Sequence, residues 1–135
     1  MRVIVCGSRS WTDRQRISDR IALLPPKDDT VIVHGNARGA DRIAHQEAQK
    51  LGLLVEPHPA DWRFGKKAGL IRNEEMARLG ADLCIAFWDN RSTGTAHMMT
   101  QAMRAGIPVE IHHKDDKLVI GPTLQYRDEL VDTFE

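Results

Sequence analysis

Arg2-Val3-Ile4-Val5-Cys6-Gly7-Ser8-Arg9-Ser10-Trp11 is the stretch on which the reading of the fold turns. Val3 to Cys6 are apolar without alternation, as suits a short strand buried on both faces of a parallel sheet. Gly7 closes the strand at Arg2–Cys6. Thr12 or Asp13 is then placed to cap a helix on which Ile17, Ile21 and Leu24 recur at helical spacing, until Pro25-Pro26 stops it. A buried strand running straight into an amphipathic helix is the first half of a βαβ crossover.

The rest of the chain repeats that unit. Thr30–His34 reads as a second strand and Ala40–Leu51 as a helix carrying Ile43, Ala44, Ala48 and Leu51 on one face. Leu53–Glu56 is a third strand, broken by Pro57 and Pro59, and an aromatic-rich loop at Ala60–Gly65 leads into a helix over Lys67–Leu79. Asp82–Phe87, a helix at Thr93–Ala105 and a strand at Ile107–Ile111 complete the alternation. Lys117–Ile120 offers a short extra strand, and Thr123–Phe134 a polar tail with a last helix. Strands alternating with helices of this length predict an α/β, Rossmann-like, doubly wound domain. Its sheet is mostly parallel and five-stranded, with helices on both faces. The 135 residues make one domain, with a core over 1–112 and an extension over 113–135.

Composition narrows the function. Hydrophobic residues are 41% and charged residues 28% of the chain, ordinary for a globular protein and too apolar for a disordered one. Nineteen Lys and Arg balance nineteen Asp and Glu, which counts against a protein that grips nucleic acid through its phosphates. Cys6 and Cys84 lie in apolar runs at a spacing that fits no metal pattern, so both read as core residues of a reducing cytoplasm. The chain shows no signal-peptide pattern and no apolar stretch of the ~18 residues a membrane span needs. A cytoplasmic protein without metal or cofactor is expected.

In an open parallel sheet, ligands bind beyond the carboxyl ends of the strands. Every distinctive motif falls at such an end. After the first strand, Gly7 allows a sharp turn and close approach, Ser8 brings a hydroxyl and Arg9 a planar cationic fork. After the second, Gly35-Asn36-Ala37-Arg38-Gly39-Ala40-Asp41 sets two glycines and an arginine at a helix start that favours anions. Asp41 fits either the cap of that helix or an acceptor for a ribose hydroxyl. His34 reads as a hydrogen-bonded core residue.

After the third strand, Trp62 and Phe64 suit stacking on a base, while Lys66, Lys67 and Arg72 suit phosphates, with Asn73 beside them. After the fourth, Ser92-Thr93-Gly94-Thr95 enters a helix with small hydroxyl residues around a glycine, a pattern suited to cradling phosphate or to plain capping. Neither GxGxxG nor a Walker loop is present.

Taken in order, Val-Cys-Gly-Ser-Arg, His-Gly-Asn-Ala-Arg-Gly-Ala-Asp, Trp-Arg-Phe-Gly-Lys-Lys-Ala-Gly-Leu-Ile-Arg-Asn and Ala-Phe-Trp-Asp-Asn-Arg-Ser-Thr-Gly-Thr-Ala resemble the YspA/YpsA-related branch of the SLOG superfamily over residues 1–112. That superfamily includes DprA and the Lonely Guy (LOG) phosphoribohydrolases. The resemblance implies a pocket for a nucleoside phosphate or an ADP-ribose-like ligand. It carries ligand contacts over to Gly7, Ser8, Arg9, Gly35, Arg38, Gly39, Asp41, Arg72, Asn73, Ser92, Gly94 and Thr95. The residues themselves add Trp62, Lys66 and Thr93.

The LOG pattern Pro-Gly-Gly-x-Gly-Thr-x-x-Glu ends in a glutamate that works with an arginine. Here Met98 stands in its place, and a thioether moves no proton. Arg72 matches the arginine. His97 is adjacent but about 100° around the helix. Arg72 and His97 are therefore the catalytic candidates, and sensing or binding of a nucleotide outranks catalysis. The alternatives are a nucleotide N-glycosidase (phosphoribohydrolase) or deoxyribosyltransferase on the same pocket, and DprA-like binding of single-stranded DNA. LOG-type dimers imply a homo-oligomer, with Met98, Met99 and Met103 as partner surface or core.

Overall fold

The computed structural model describes residues 1–114 and the strand at 118–119. Its strands are β1 (Arg2–Gly7), β2 (Val31–His34), β3 (Leu54–Pro57), β4 (Leu83–Trp88), β5 (Val109–His113) and β6 (Leu118–Val119). Its helices are α1 (Arg14–Ile21), α2 (Ala40–Lys50), α3 (Ala68–Leu79) and α4 (Thr93–Arg104). The sheet order is β3-β2-β1-β4-β5-β6. β1 to β5 are parallel, and β6 pairs antiparallel with β5 at the edge. The five parallel strands and helical layers are those expected, with β6 as the short extra strand. The helix expected at Thr123–Phe134 lies outside the described residues.

Alternation along β1 divides the core. Val3 and Val5 face α1 and α2 and pack with Ile17, Ile21, Ile32, Ile43 and Phe87. Ile4 and Cys6 face α3 and α4 and pack with Met76, Met98, Met99 and Met103. All these side chains are buried, and each large apolar one contributes roughly 1.5–3 kcal/mol. The three methionines of α4 thus belong to the core, not to a partner surface. Cys6 and Cys84 are free and buried, with their sulfurs 3.9 Å apart.

Several boundaries differ from the sequence reading. α1 ends at Ile21, ahead of Leu24 and the proline pair. Leu24 is buried in the turn that follows, where its N–H reaches the Ile21 carbonyl. Ile107 lies before β5 because Gly106, at φ +77°, reverses the chain and the Ile107 N–H closes back on the Ala102 carbonyl. The aromatic loop contains a 3₁₀ segment, Trp62–Lys67, turned at Gly65. Asp13 is the cap of α1, accepting the Arg16 N–H.

After β3 the chain crosses over β1 to form β4 on its other side. The reversal opens a crevice between the carboxyl ends of β1 and β4, the place where a parallel sheet of this kind takes a ligand.

Candidate functional site

A cleft of about 610 Å³ occupies that crevice. Gly7 and Arg9 reach it from β1, Asp41 from the start of α2, Trp62, Lys66, Arg72 and Asn73 from the segment after β3, and Ser92 to Thr95 from the start of α4. All four turns expected at one edge line a single cavity.

The turn after β4 is built around Asp89. One of its carboxylate oxygens accepts the N–H groups of Arg91 (2.9 Å) and Ser92 (2.8 Å), and the other accepts the hydroxyls of Ser10 (3.2 Å) and Ser92 (3.3 Å). Burial opposes this charge, but the hydrogen bonds outweigh it and hold the carboxyl below the usual carboxylate range. Ser8, fully buried, accepts the Asp89 N–H on its hydroxyl at 2.9 Å, joining this turn to the one after β1. With Asp89 shaping the turn, Ser92 occupies the cap position of α4 without any side-chain cap bond. The first N–H groups of α4 therefore point toward the cleft unclaimed by a capping side chain, at the positive end of the helix dipole. Capping by Ser92 or Thr93, one of the two roles open in the sequence, is not what these side chains do.

Asp41 is likewise not a helix cap. Gly39 takes that position at φ +74°, in contact so close to the Ser8 carbonyl that a Cβ would sit 2.4 Å from its oxygen. Asp41 lies one residue into α2 and reaches back. Its Oδ2 accepts the N–H groups of Gly35 (3.1 Å) and Ala37 (3.2 Å), fastening the turn after β2. Its Oδ1 is buried and has no hydrogen-bond partner, alone in this among side-chain atoms of the described residues. Burial pushes its pKa up to about 6, with those two N–H groups and the charges of Arg72 and Arg9 offsetting part of the rise.

His34 supports the same turn from below. Its Nδ1 accepts the Asn36 N–H, so its proton sits on Nε2 and is donated to His45 Nδ1 at 2.8 Å. Burial, and then the neighbouring His45, lower its pKa to about 4. It is a neutral core histidine, as expected.

Arg72 closes the far wall. Its guanidinium donates to the Gly35 carbonyl and, at 3.0 Å, to Asn73 Oδ1. Asn73, buried, donates in turn to the Gly94 carbonyl at 3.2 Å. The segment after β3 is thereby tied to the turns after β2 and β4. Over this wall stands Trp62, 56% exposed, with the Arg9 guanidinium 5.9 Å from its ring centre. Its open face is available for stacking.

Not every expected residue reaches the cleft. Ser8 and Gly39 lie beneath it, as supports. Gly35 and Arg38 line a second cavity of about 280 Å³ next to it. His97 does not line the cleft: its ring meets Asn73 (3.2 Å) and Gln101 (3.4 Å), and burial lowers its pKa. Met98 does line the cleft. Sequence reasoning missed Cys6, Ser10, Ala37, Gly69, Leu70 and Met76 as lining residues. Met76 and Leu70 carry a usable signal on that helix, since Met76 stands four after Arg72 and Leu70 three before Asn73. Cys6 is no nucleophile, because its hydrogen bond with Cys84 and its burial push the thiol well above its ordinary range.

Residues 1–65, which supply the turns after β1 and β2 and Trp62, match the model of the YspA, cpYpsA-related SLOG family. The chain belongs to that family. Over 116 residues it is 50% identical to a protein of Mycobacterium phage D29 described as Gene 61 protein, covering 80% of this chain and 93% of that protein. No solved structure matches the chain. Among the described residues of this SLOG protein, no helix is long and apolar enough to cross a membrane.

Proposed function

We propose that the cleft binds a nucleotide or nucleotide-derived ligand and that the protein acts as a sensor or binding protein for it. The observation that carries this reading is the pairing, in one cleft, of an uncapped helix start with an unpartnered buried carboxylate oxygen. Phosphate oxygens fit the N–H groups and hydroxyls of Thr93 to Thr95, with Lys66 and Arg72 supplying positive charge. A ribose hydroxyl, met by a small shift of the Asp41 side chain into the cleft it lines, would satisfy Oδ1, which otherwise costs about 1–3 kcal/mol as a buried acceptor without a donor. Trp62 would cover the base.

Binding without turnover is favoured by what the acid and base candidates are doing. Met98 occupies the position of the LOG glutamate, and His97 is turned to Asn73 and Gln101. The DNA-binding alternative has the balanced charge of the chain against it.

A thermal-shift screen against nucleoside phosphates, nucleotide sugars and dinucleotides tests the proposal, because a ligand that binds only the native state raises Tm. A Tm rise that is lost in Gly94→Val, together with no release of free base, supports a binding protein. Release of free base at a rate above background would replace this reading with an N-glycosidase, and no Tm rise with any compound would remove the nucleotide site.

A further inference from the structure

The second cavity, of about 280 Å³, adjoins the main cleft and shares Arg9, Ala37, Trp62 and Arg72 with it. Arg38 and Arg42 complete a set of four arginines in its lining, and no aspartate or glutamate lines it. Arg38 and Arg42 are exposed, and their side chains make no hydrogen bond or ion pair among the described residues. The carboxylate that approaches this group is Asp41, which sits in the main cleft beside Arg72 and Arg9.

Nothing in the folding of this segment calls for cations here. Arg38 stands just before the cap of α2 and Arg42 in its first turn, at the positive end of the helix dipole, where basic side chains are disfavoured. On a chain with equal numbers of acidic and basic residues, four guanidinium groups gathered on one cavity repel one another, and the single carboxylate near them, Asp41, faces Arg72 and Arg9 from the main cleft. Such an arrangement is complementary to an anion. The planar fork of arginine suits phosphate oxygens in particular.

We infer that this cavity is a second phosphate subsite. The ligand of the main cleft then carries two phosphate groups, one at the first turn of α4 and one between Arg38 and Arg42. This rests on the nucleotide reading given above and narrows it to doubly phosphorylated nucleotides.

Calorimetry with the four ribonucleoside 5′-monophosphates, their 5′-diphosphates and their 3′,5′-bisphosphates tests both statements separately. The expected result in the unmodified protein is a doubly phosphorylated nucleotide that binds at least tenfold more tightly than its monophosphate. In an Arg38→Ala, Arg42→Ala double variant that advantage should fall below twofold while the monophosphate affinity stays the same. If the double variant has no thermal transition, Arg42→Gln alone repeats the comparison. Monophosphate binding that Gly94→Val abolishes, with no gain from a second phosphate or a gain that survives the arginine substitutions, overturns the subsite and leaves the main cleft standing. Absence of binding by all twelve compounds overturns the subsite as stated here, while the nucleotide reading falls only if the wider thermal-shift screen also finds no ligand.

Discussion

Arg72 lays its guanidinium against the bare Cα of Gly35 and donates to that residue's carbonyl oxygen, binding α3 to the turn after β2. A Cβ at position 35 would lie 2.7 Å from the centre of the guanidinium, so the glycine is what lets the arginine approach. The clash involves the end of a flexible side chain, which can swing away. Gly35→Ala should therefore fold and displace Arg72, and its nucleotide affinity should fall nearly as far as that of Arg72→Ala. For Arg72→Ala the expected loss is roughly 1.5–3 kcal/mol, the range for a charge-assisted hydrogen bond. Calorimetry on both variants decides it. Unchanged affinity in Arg72→Ala would take this residue out of the site.

Two other glycines should answer in opposite ways. At Gly7 a Cβ would sit 2.5 Å from both the Ala40 Cβ and the Phe87 carbonyl oxygen, which belong to a helix and a strand that cannot move aside. Gly7→Ala should lose about 1–3 kcal/mol or more of stability, as overpacked cores do. At Gly94 a Cβ meets nothing within 4 Å, and the residue is helical, so Gly94→Val should unfold at or above the temperature of the unmodified protein. Its side chain would occupy the phosphate end of the cleft. Thermal unfolding with and without ligand separates loss of fold from loss of binding; a Gly94→Val protein that binds normally would exclude the first turn of α4 from the site.

The strands and the edge on which the candidate site lies were legible because both follow from local pattern. Unbroken apolar runs such as Val3-Ile4-Val5-Cys6 mark buried parallel strands, and the glycines that follow mark the ligand edge. What residues do within that edge was not legible, since it depends on partners far along the chain. Asp41 looked like a cap for α2, yet it reaches back to Gly35 and Ala37 while Gly39 starts the helix. Ser92 looked like a cap for α4, but Asp89 had already set the turn. His97 looked available for catalysis until Asn73, twenty-four residues away, took its ring nitrogen. Arg42 gave no signal at all, because a lone arginine in a helix reads as surface until the cavity beside it is known.

Glu110 should make the fold sensitive to acid. It is buried on β5, where both oxygens accept from Arg20 (2.6 and 3.0 Å) and one also meets His112 Nε2 at 2.6 Å. Burial works against the charge, but the bonds from His112 and Arg20 prevail and lower its pKa to about 2. Because the folded pKa lies below the unfolded one, its contribution is present above about pH 4.5 and disappears as pH falls toward 2. Glu110→Gln should cost roughly 2–3 kcal/mol at pH 7 and nearly nothing near pH 2. Urea unfolding of both proteins at the two pH values checks this, and a difference that does not shrink in acid would deny the ion pair its role.

Asp41 should act with the opposite sign. Its folded pKa of about 6 lies above the usual carboxylate value of 3.8, so between these values the folded protein keeps a proton that the unfolded chain releases. Stability from this group is complete below about pH 4 and declines as pH rises through 6, by about 3 kcal/mol in total. Asn at this position cannot ionise and retains an oxygen for the N–H groups of Gly35 and Ala37. The difference in unfolding free energy between the unmodified protein and Asp41→Asn should therefore drift by about that amount against the unmodified protein from pH 4 to 7.5. A ligand hydroxyl donated to Oδ1 prefers the ionised carboxylate, so nucleotide affinity should climb more steeply over the same interval in the unmodified protein than in Asp41→Asn, where only the second ionisation of the ligand's phosphate near pH ~6 contributes. A drift in stability with equal climbs in affinity for the two proteins would make Asp41 a fastener of the turn and nothing more.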